Sequence, residues 1–293
     1  WMKVVVTGGV GFIGTNLIKR LLDDGHKVVS LDNYSTGIKE NELEQKGVQY
    51  FDVDLRYVHD YDFFMDKPDI IFHVAALARI QPSMEDPTTS IQNNFDSTLN
   101  ILEWARTKKC PVIFAGSSSF HQGLWDSPYA WSKFAGEQLC KLYNKVYNLP
   151  TTVCRFYNVY GPHQIEGGDY AAVIGIFERQ YKNNEPLTIT GDGEQRRDFT
   201  HVDDIVDGLV KCGEKIVTDR GYEISGKEFE LGRGINFSIN EIANMFGEDY
   251  SKEYIDARPG EYEMTLCTDD KAKKLLNWDA KINIDDYIEG VIK

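Results

Sequence analysis

The chain has 293 residues, of which 42% are hydrophobic, and a formal net charge of −14 at pH 7. This length can bury a full α/β core, and the negative charge, with no basic run to offset it, disfavours a nucleic-acid partner. The apolar runs near the start are only strand-length and are followed at once by glycines, unlike a signal peptide or a membrane span, so we expect a cytoplasmic protein with no membrane partner.

The cysteine pattern indicates reduced, mostly buried thiols. The cysteines lie far apart and without paired spacing, which predicts neither a disulfide framework nor a zinc ribbon, and no metal site. They are Cys110, Cys140, Cys154, Cys212 and Cys267.

Short β-rich segments alternate with longer helical patterns through the first half of the chain. The segments predicted as strands are 3–7, 27–31, 48–53, 69–74, 112–115 and 151–156. Those predicted as helices are 12–24, 88–108 and 128–148. This alternation is typical of βαβ units, and it predicts a Rossmann-type α/β fold with a doubly wound parallel sheet.

After Pro162 the pattern loosens into loops that contain glycine, which indicates a smaller C-terminal lobe. Ser238 and Glu241 have the spacing of a capping box before a helix at 242–246. Further short helices are predicted at 171–183, 202–215 and 269–276.

A glycine-rich segment, from Thr7 to Gly14 with the sequence TGGVGFIG, lies between the first strand and the first helix. This is the context that a dinucleotide-binding loop requires. Glycine lets the backbone turn tightly and approach a pyrophosphate, and the free N–H groups at the start of the helix then face the phosphates. The residues expected to bind the cofactor are Gly8, Gly11, Phe12, Ile13 and Gly14.

Asp32 ends the second strand about 20 residues beyond this loop, where a carboxylate can accept hydrogen bonds from the adenosine ribose. The same carboxylate would repel the 2′-phosphate of NADP, and no arginine follows it immediately. The sequence therefore predicts NAD as the cofactor, with Asp32 and Asn33 among its ligands. The alternative interpretation is a tight turn followed by a surface aspartate.

Ser127 and Pro128 predict the start of a helix, on which Tyr129 and Lys133 lie four residues apart on one face. A free tyrosine, with a pKa of about 10, is a poor base at neutral pH, but a neighbouring cation and the positive nicotinamide both favour its phenolate. We therefore expect Tyr129 to act as a general base and Lys133 to lower its pKa. The alternative is a structural role for both, since this spacing also arises by chance on amphipathic helices.

Ser117, Ser118 and Ser119 follow the strand predicted at 112–115, at the edge where open α/β sheets bind ligands. One serine there can hydrogen-bond both a substrate hydroxyl and Tyr129. For the other two, a polar exit from the strand is an equally good interpretation.

With these features in order, the chain resembles the extended short-chain dehydrogenase/reductase family, and more narrowly its NAD-dependent nucleotide-sugar epimerases of the UDP-glucose 4-epimerase type. The resemblance runs nearly end to end. Its motifs are Asp54-Leu55, His73-Val74-Ala75-Ala76, Asn93-Asn94, Tyr129-Ala130-Trp131-Ser132-Lys133, Arg155-Phe156-Tyr157-Asn158-Val159-Tyr160-Gly161-Pro162, Gly191-Asp192-Gly193, Arg197-Asp198-Phe199 and Arg258-Pro259-Gly260-Glu261.

The resemblance implies further ligand contacts. Those to the cofactor are Asp54, Leu55, Ala75, Ala76, Asn94, Tyr129, Lys133 and Tyr157. Asn158, Arg197 and Arg258 would hold the diphosphate of a UDP-sugar, since guanidinium groups suit phosphate oxygens; a surface salt bridge is the alternative for each arginine. Residues 2–162, with a return of about residues 199–234, would bind NAD, and residues 163–293 would form mainly a substrate-binding lobe.

The chain departs from the family between the serines and Tyr129. Family members usually carry a Val-Tyr-Gly or similar tripeptide and then a long loop, whereas here Phe120-His121-Gln122-Gly123 intervenes and Tyr129 follows early. Counting forward from the strand indicates Ser117 as the catalytic serine, and counting back from Gly123 indicates Ser118. Strand register favours Ser117, because packing sets the register and loops absorb changes of length.

The resemblance implies a redox-neutral inversion at C4 of the sugar through a transient 4-keto intermediate. Related 4,6-dehydratases place an Asp-Glu pair, and decarboxylases a Glu, just after the catalytic serine or threonine, whereas this chain has Ser118 and Ser119. We therefore expect a 4-epimerase for UDP-hexoses or UDP-N-acetylhexosamines. The alternatives are a 4,6-dehydratase, a 4-keto reductase, or a non-catalytic NAD-binding regulator, which would need neither Tyr129 nor Lys133.

Thr265, aligned from Arg258 without gaps, falls where epimerases restricted to simple hexoses have a bulky tyrosine. Its smaller side chain predicts room for an N-acetyl group. The resemblance also implies a homodimer, formed through the helices predicted at 88–108 and 128–148.

Overall fold

The computed structural model describes residues 1–218 and 223–293 of the chain. The strands are β1 Lys3–Thr7, β2 Lys27–Asp32, β3 Val48–Asp52, β4 Ile70–His73, β5 Val112–Ser117, β6 Thr151–Phe156, β7 Val159–Tyr160, β8 Leu187–Thr190, β9 Arg196–Arg197, β10 Thr200–His201, β11 Glu228–Leu231, β12 Phe237–Ser238 and β13 Lys252–Ile255. The α-helices are α1 Phe12–Asp23, α2 Ile80–Glu85, α3 Pro87–Lys108, α4 Pro128–Tyr147, α5 Val173–Lys182, α6 Val202–Thr218, α7 Ile239–Met245, α8 Lys271–Leu276 and α9 Ile284–Ile292. Short 3₁₀ helices lie at Lys39–Asn41 and Ser118–His121.

Seven strands form the central sheet, in the order β11-β6-β5-β4-β1-β2-β3, and every neighbouring pair in it is parallel. The chain runs outward from β1 through β2 to β3 and then crosses back to β4, on the other side of β1. The carboxyl ends of β1 and β4 therefore form the topological switch point at which doubly wound sheets bind ligands. The predicted Rossmann-type fold is confirmed.

Helices cover both faces of the sheet, and successive side chains of a strand point to opposite faces. Val4 and Val6 of β1 pack in one apolar cluster with α1 and α6, whereas Val5 packs in another with α3 and α4. A third cluster, with Phe177 and Ile242 among its members, joins α5, α7 and α9 in the smaller lobe. The sheet therefore lies between two layers of helices, and the lobe has a separate apolar centre.

The predicted strands agree with the observed ones to within two residues at each end. The predicted capping box is present, and α7 begins at Ile239, directly after Ser238, rather than at Ile242. Helices α2 and α9, strand β11 of the central sheet and the short strands of the lobe were not predicted. These elements are too short, or too close to a chain end, to show a clear periodicity.

The segment of about residues 199–234, which was predicted to return to the cofactor-binding unit, contains α6 and β11. Strand β11 pairs with β6 at the edge of the central sheet. Residues 219–222 of this range lie outside the described residues. The division of the chain into a cofactor-binding unit and a substrate-binding lobe stays a prediction, as does the cytoplasmic location. All five cysteines are free and buried, as expected. Within the described ranges, no helix has both the length and the apolar composition needed to cross a bilayer.

Candidate active site

A cavity of about 1130 Å³ opens at the carboxyl ends of the central strands and continues into the smaller lobe. Pockets for one drug-sized ligand are usually about 300–1,000 Å³, so this cavity can hold a cofactor and a substrate together. The predicted site residues on its wall are Gly8, Gly11, Phe12, Ile13, Gly14, Asp32, Asn33, Leu55, Ala75, Ala76, Ser117, Ser118, Tyr129, Lys133, Tyr157, Asn158, Arg197, Arg258 and Thr265. Asp54 and Asn94 are the predicted site residues that do not line it.

The glycine loop has the close packing that a dinucleotide cradle requires. Gly8 has a φ of +72°, and a Cβ there would lie 2.9 Å from the backbone of Ala75. A Cβ at Gly14 would lie 2.0 Å from the Gly8 carbonyl oxygen. At Gly11 a Cβ would meet only that same oxygen, at 3.4 Å, so the loop presents bare backbone to the cavity. The residues present therefore fit a bound pyrophosphate at the start of α1.

Asp32 is held rigidly at the cavity wall. Its Oδ2 accepts a hydrogen bond from the N–H of Val10 at 3.1 Å, and its Oδ1 accepts one from the N–H of Tyr34 at 2.8 Å. Burial raises the pKa of this carboxyl group. Each oxygen retains a further lone pair, so the carboxylate can still accept hydrogen bonds from ribose hydroxyls.

Helix α4 begins as predicted. Ser127 caps it by accepting a hydrogen bond from the N–H of Ala130 at 3.1 Å, and Pro128 is the first helical residue. The N–H of Tyr129, which has no partner within α4 because it lies in the first turn, donates to Ser83 Oγ of α2 at 3.1 Å. This bond attaches the start of α4 to α2.

Tyr129 has a second cation, Arg79, in its surroundings. Burial raises the pKa of the Tyr129 phenol, while the Ser117 hydroxyl group and the positive charge of Arg79 act in the opposite direction. The Lys133 Nζ lies 4.8 Å from the centroid of the Phe114 ring. The effect of Lys133 on the Tyr129 pKa stays a prediction.

Lys133 is a buried ammonium, 7% exposed. Burial lowers its pKa to about 8, against the opposing effect of the Glu137 carboxylate one turn further along α4. No carboxylate in residues 1–218 or 223–293 forms a salt bridge with it. A charged lysine that lines a cavity without such a partner is suited to donating hydrogen bonds to cofactor hydroxyls.

The three serines have different surroundings. Ser117 ends β5; its hydroxyl group accepts the N–H of Ser119 at 3.1 Å and lies close enough to the Tyr129 phenol to lower the pKa of that phenol. Ser118 lines the cavity. Ser119 is 2% exposed, and its hydroxyl group has no hydrogen-bond partner in the described part of the chain. These contacts support Ser117 as the partner of Tyr129, an assignment that stays a proposal.

Two predicted cofactor ligands, Asn94 and Asp54, form contacts within the protein. The Asn94 side chain donates to the Leu77 carbonyl oxygen at 3.1 Å and accepts the Leu77 N–H at 2.8 Å. The Asp54 carboxylate pairs with Arg56 at 2.7 Å. Neither residue is among those that line the cavity, whereas Asn93, next to Asn94, does line it. Contact of Asp54 and Asn94 with the cofactor stays a prediction.

Thr265 holds Asn158 at the wall. The Thr265 hydroxyl group donates to Asn158 Oδ1 at 2.7 Å and accepts the N–H of Asp198 at 3.0 Å. At 4% exposure, Thr265 is part of the base of the cavity. The small Thr265 side chain therefore ends at the base of the cavity, where its hydroxyl group is hydrogen-bonded.

Arg197 and Arg258 lie on the same wall, but Arg197 is buried and Arg258 is exposed. Arg197 is buried, donates to the Tyr262 carbonyl oxygen at 2.8 Å and lies 3.8 Å from the Glu261 carboxylate. Burial lowers the pKa of its guanidinium group. Arg258 is exposed and forms no salt bridge within the described residues. The two arginines supply positive charge in a protein that is strongly acidic overall.

Two further residues of the wall, Arg79 and Tyr262, were not predicted from the sequence. The Tyr262 hydroxyl group is buried without a hydrogen-bond partner in the described residues. Its ring packs against Gly123, where a Cβ would lie 2.4 Å from the Tyr262 Cε1 atom. The shortened loop before Tyr129 thus lets Tyr262 approach the serines. The sequence contains one signal for this role of Arg79, which is that a basic residue stands three positions after Ala76.

The comparison with protein families gives a match over residues 4–225 to the NAD dependent epimerase/dehydratase family. This match confirms the family resemblance read from the motifs.

Individual relatives match most or all of the chain. A UDP-glucose 4-epimerase of Mycolicibacterium smegmatis is 32% identical over 314 residues, which cover 100% of this chain and 97% of that protein. A UDP-N-acetyl-alpha-D-glucosaminuronate decarboxylase of Bacillus cytotoxicus is 31% identical, over 82% of this chain and 78% of that protein. The crystal structure of the UDP-glucuronic acid 4-epimerase from Bacillus cereus in complex with UDP-glucuronic acid and NAD superposes with a TM-score of 0.87 at 28% identity, over 99% of this chain and 98% of that one. The similar proteins thus include both epimerases and a decarboxylase.

Proposed function

We propose that this chain, which belongs to the NAD-dependent epimerase/dehydratase family, is a UDP-sugar 4-epimerase. The observation that carries the proposal is that Tyr129, Ser117 and Lys133 lie on one wall of the cavity that the glycine loop also lines. NAD is the cofactor of this family, and the bare backbone at Gly11 fits it.

The side chains present can carry out the proton transfers of an epimerisation. When bound, NAD supplies reversible hydride transfer, so that oxidation and reduction at one sugar carbon leave no net redox change. Tyr129 takes the proton of the C4 hydroxyl group as the sugar is oxidised and returns it when the other face of the 4-keto sugar is reduced. Ser117 donates a hydrogen bond to the same oxygen, and Lys133 holds the cofactor ribose.

The residues that follow Ser117 support epimerisation over elimination. Loss of water from C6 requires a group that protonates the departing hydroxyl, and a carboxyl group is the usual choice for such general acid catalysis. Here Ser118 and Ser119 occupy the two positions after Ser117. Reversible oxidation at C4 needs no additional acid.

The same wall suggests how a nucleotide sugar would bind. Arg197, Arg258 and Asn158 would hold the diphosphate, which places the sugar towards Tyr129. Thr265 is small and ends in a hydrogen bond to Asn158, so no bulky side chain enters the cavity from this position. That supports UDP-N-acetylhexosamines as well as UDP-hexoses as candidate substrates.

A homodimer is part of the proposal. Helices α3 and α4 pack against each other, and α4 exposes Leu142, Val146 and Tyr147, at 50%, 55% and 48%. Exposed apolar side chains grouped on one helix suit a protein interface. Sedimentation equilibrium of the purified protein measures the mass, and a monomer at all concentrations would contradict this part.

NMR spectroscopy of the NAD-loaded enzyme with UDP-glucose, UDP-N-acetylglucosamine and UDP-glucuronate tests the function. The expected product is the C4 epimer of at least one of them, with no accumulation of NADH. A stable keto sugar, or a pentose formed with release of carbon dioxide, would overturn the epimerase proposal. Retention of NAD without conversion of any nucleotide sugar would favour a regulator.

A further inference from the structure

Arg79 lies on the cavity wall, and its guanidinium group has no salt-bridge partner among residues 1–218 and 223–293. Its Nε donates to the Tyr170 carbonyl oxygen at 2.9 Å and its Nη1 donates to the Ala78 carbonyl oxygen at 2.8 Å. Its Nη2 forms no hydrogen bond, and no carboxylate lies within 4 Å of the group, among residues 1–218 and 223–293. Burial lowers the pKa of Arg79, with Glu261 among the groups that oppose this. Arg79 is partly buried, and a cation removed from water is costly unless it is paired, so the arrangement suits an anionic ligand.

Arg79 lies close to the proposed catalytic tyrosine. It is the residue that precedes α2, and Ser83, four residues later, accepts the N–H of Tyr129 at 3.1 Å. Four residues of a helix correspond to about 6 Å along its axis, and the charge of Arg79 is close enough to lower the pKa of Tyr129. On the other side, Gln81 Nε2 donates to the Pro259 carbonyl oxygen at 2.7 Å, which ties α2 to the segment that follows Arg258.

Two further residues of this wall, Ser119 and Tyr262, have buried hydroxyl groups. Burial raises the pKa of the Tyr262 phenol and the neighbouring Ser119 hydroxyl group lowers it, so the two hydroxyl groups lie close together. Neither oxygen is accessible to a ligand in the cavity, whereas the Arg79 guanidinium group lies on the cavity wall.

We infer that Arg79 binds a carboxylate of the sugar, so that the preferred substrates are UDP-hexuronates. In a hexuronate the carboxylate is attached to C5, next to the reacting C4, whereas the diphosphate is attached to C1. A cation beside Tyr129 is therefore placed for the sugar carboxylate and not for the diphosphate. The planar guanidinium group can donate to both carboxylate oxygens. The inference rests on the proposed function and narrows its substrate class.

Steady-state kinetics of the NAD-loaded enzyme with UDP-glucuronate and UDP-glucose test this assignment. The wild type should have the higher kcat/KM for UDP-glucuronate. The variant Arg79→Met should lower the ratio of the two kcat/KM values by roughly 10- to 100-fold, as expected for a lost hydrogen bond to a charged group, mainly through KM. The ratio for Arg79→Lys should lie between those of the wild type and Arg79→Met, since an ammonium is a single point charge. Arg20→Met, on the outer side of α1, is the matched control and should keep the wild-type ratio.

Calorimetric binding of both nucleotide sugars to NAD-loaded wild type and Arg79→Met separates this inference from the proposed function. Tighter binding of UDP-glucuronate than of UDP-glucose, if it is lost in Arg79→Met, supports the inference even where neither sugar is converted. Failure to convert either sugar would contradict only the epimerase proposal. Equal weakening of both sugars would show that Arg79 only supports the Tyr170 loop. Wild-type preference for UDP-glucose would also overturn the inference. Where Arg79→Met does not fold, as judged by NAD binding, Arg79→Lys provides the same comparison.

Discussion

The hydroxyl group of Thr7, at the end of β1, donates a hydrogen bond of 2.7 Å to Nδ1 of the buried His73, at the end of β4. Thr7 Oγ1 also accepts the N–H groups of Val74 and Ala75, at 3.0 and 3.1 Å, so its own hydrogen must point to the imidazole. Nε2 of His73 then carries the ring hydrogen and donates to Thr98 Oγ1 at 2.9 Å. A neutral histidine thus fixes the segment that lines the cofactor side of the cavity.

This arrangement predicts a loss of stability in mild acid. Burial, assisted by the charge of Lys133, lowers the pKa of His73 to about 3, whereas the unfolded chain has an ordinary histidine pKa of about 6.5. Between these values the unfolded chain binds a proton that the folded protein excludes, so stability falls as the pH is lowered. The expected contribution of His73 between pH 7 and pH 5 is about 2 kcal/mol.

Urea unfolding at several pH values measures the effect. The variant His73→Asn should be less stable at neutral pH but should lose less further stability between pH 7 and pH 5 than the wild type. The exposed His59 provides the control, since His59→Asn should follow the wild-type pH dependence. Parallel curves for all three proteins would contradict the prediction.

The position of Asp32 predicts a change of cofactor preference. Asp32→Asn removes the negative charge that we expect to face the adenosine ribose, but the asparagine can still accept the N–H of Tyr34. The ratio of the Kd values for NADP and NAD should fall at least about tenfold, since about 1.4 kcal/mol of repulsion corresponds to that factor. Fluorescence titration with both cofactors measures the ratio, and Asp23→Asn, on the outer face of α1, should leave it unchanged. An unaltered ratio in Asp32→Asn would show that another group selects the cofactor.

Tyr129→Phe should remove turnover while NAD still binds. The loss of the phenol hydroxyl group removes the proposed acid and base, which typically contributes about 10²- to 10⁴-fold to the rate. Measurement of kcat and of the Kd for NAD in the same preparation separates the two effects. The control is Tyr147→Phe, at the exposed end of α4. A kcat within tenfold of the wild type would exclude Tyr129 as the proton-transfer group.

Removal of the Arg155 charge should cause a large loss of stability. Its guanidinium group lies between two buried carboxylates, 2.8 Å from Glu137 and 2.9 Å from Glu230. Arg155→Met leaves both carboxylates buried without this partner, and breaking a buried pair in this way typically costs about 3–5 kcal/mol. The Arg106–Glu103 pair on the surface of α3 is the matched control. Chemical unfolding of Arg155→Met and Arg106→Met should show a large change in the first and no clear change in the second, and equal effects would contradict the prediction.

The parts of the fold that the sequence predicted well depend on local patterns. The segments Lys3–Thr7 and Thr151–Phe156 were predicted with their observed bounds, because buried parallel strands appear as short apolar or β-branched runs. The caps at Ser127 and Ser238 were equally clear, since a cap and the N–H group that it accepts lie within three residues.

The membership of the site was only partly predictable. Motif spacing placed Tyr129 and Lys133 on one face of α4, and both line the cavity. Asn94 also belongs to a motif, yet its amide is hydrogen-bonded to Leu77. A motif specifies which residues occur together, but the direction of each side chain depends on the partners that folding brings to it.

By itself, therefore, the sequence determined the βαβ order, the glycine loop and the spacing of the proposed catalytic pair, because each is encoded by residues close together in the chain. The tertiary structure decided that Arg79 contacts the Tyr170 carbonyl 91 residues away, and that Thr265 joins Asn158 across 107 residues. Contacts between residues so far apart in sequence determine the charge of the cavity and which hydrogen-bond donors on its wall stay unpaired. They depend on packing between distant segments, for which a local pattern carries no signal.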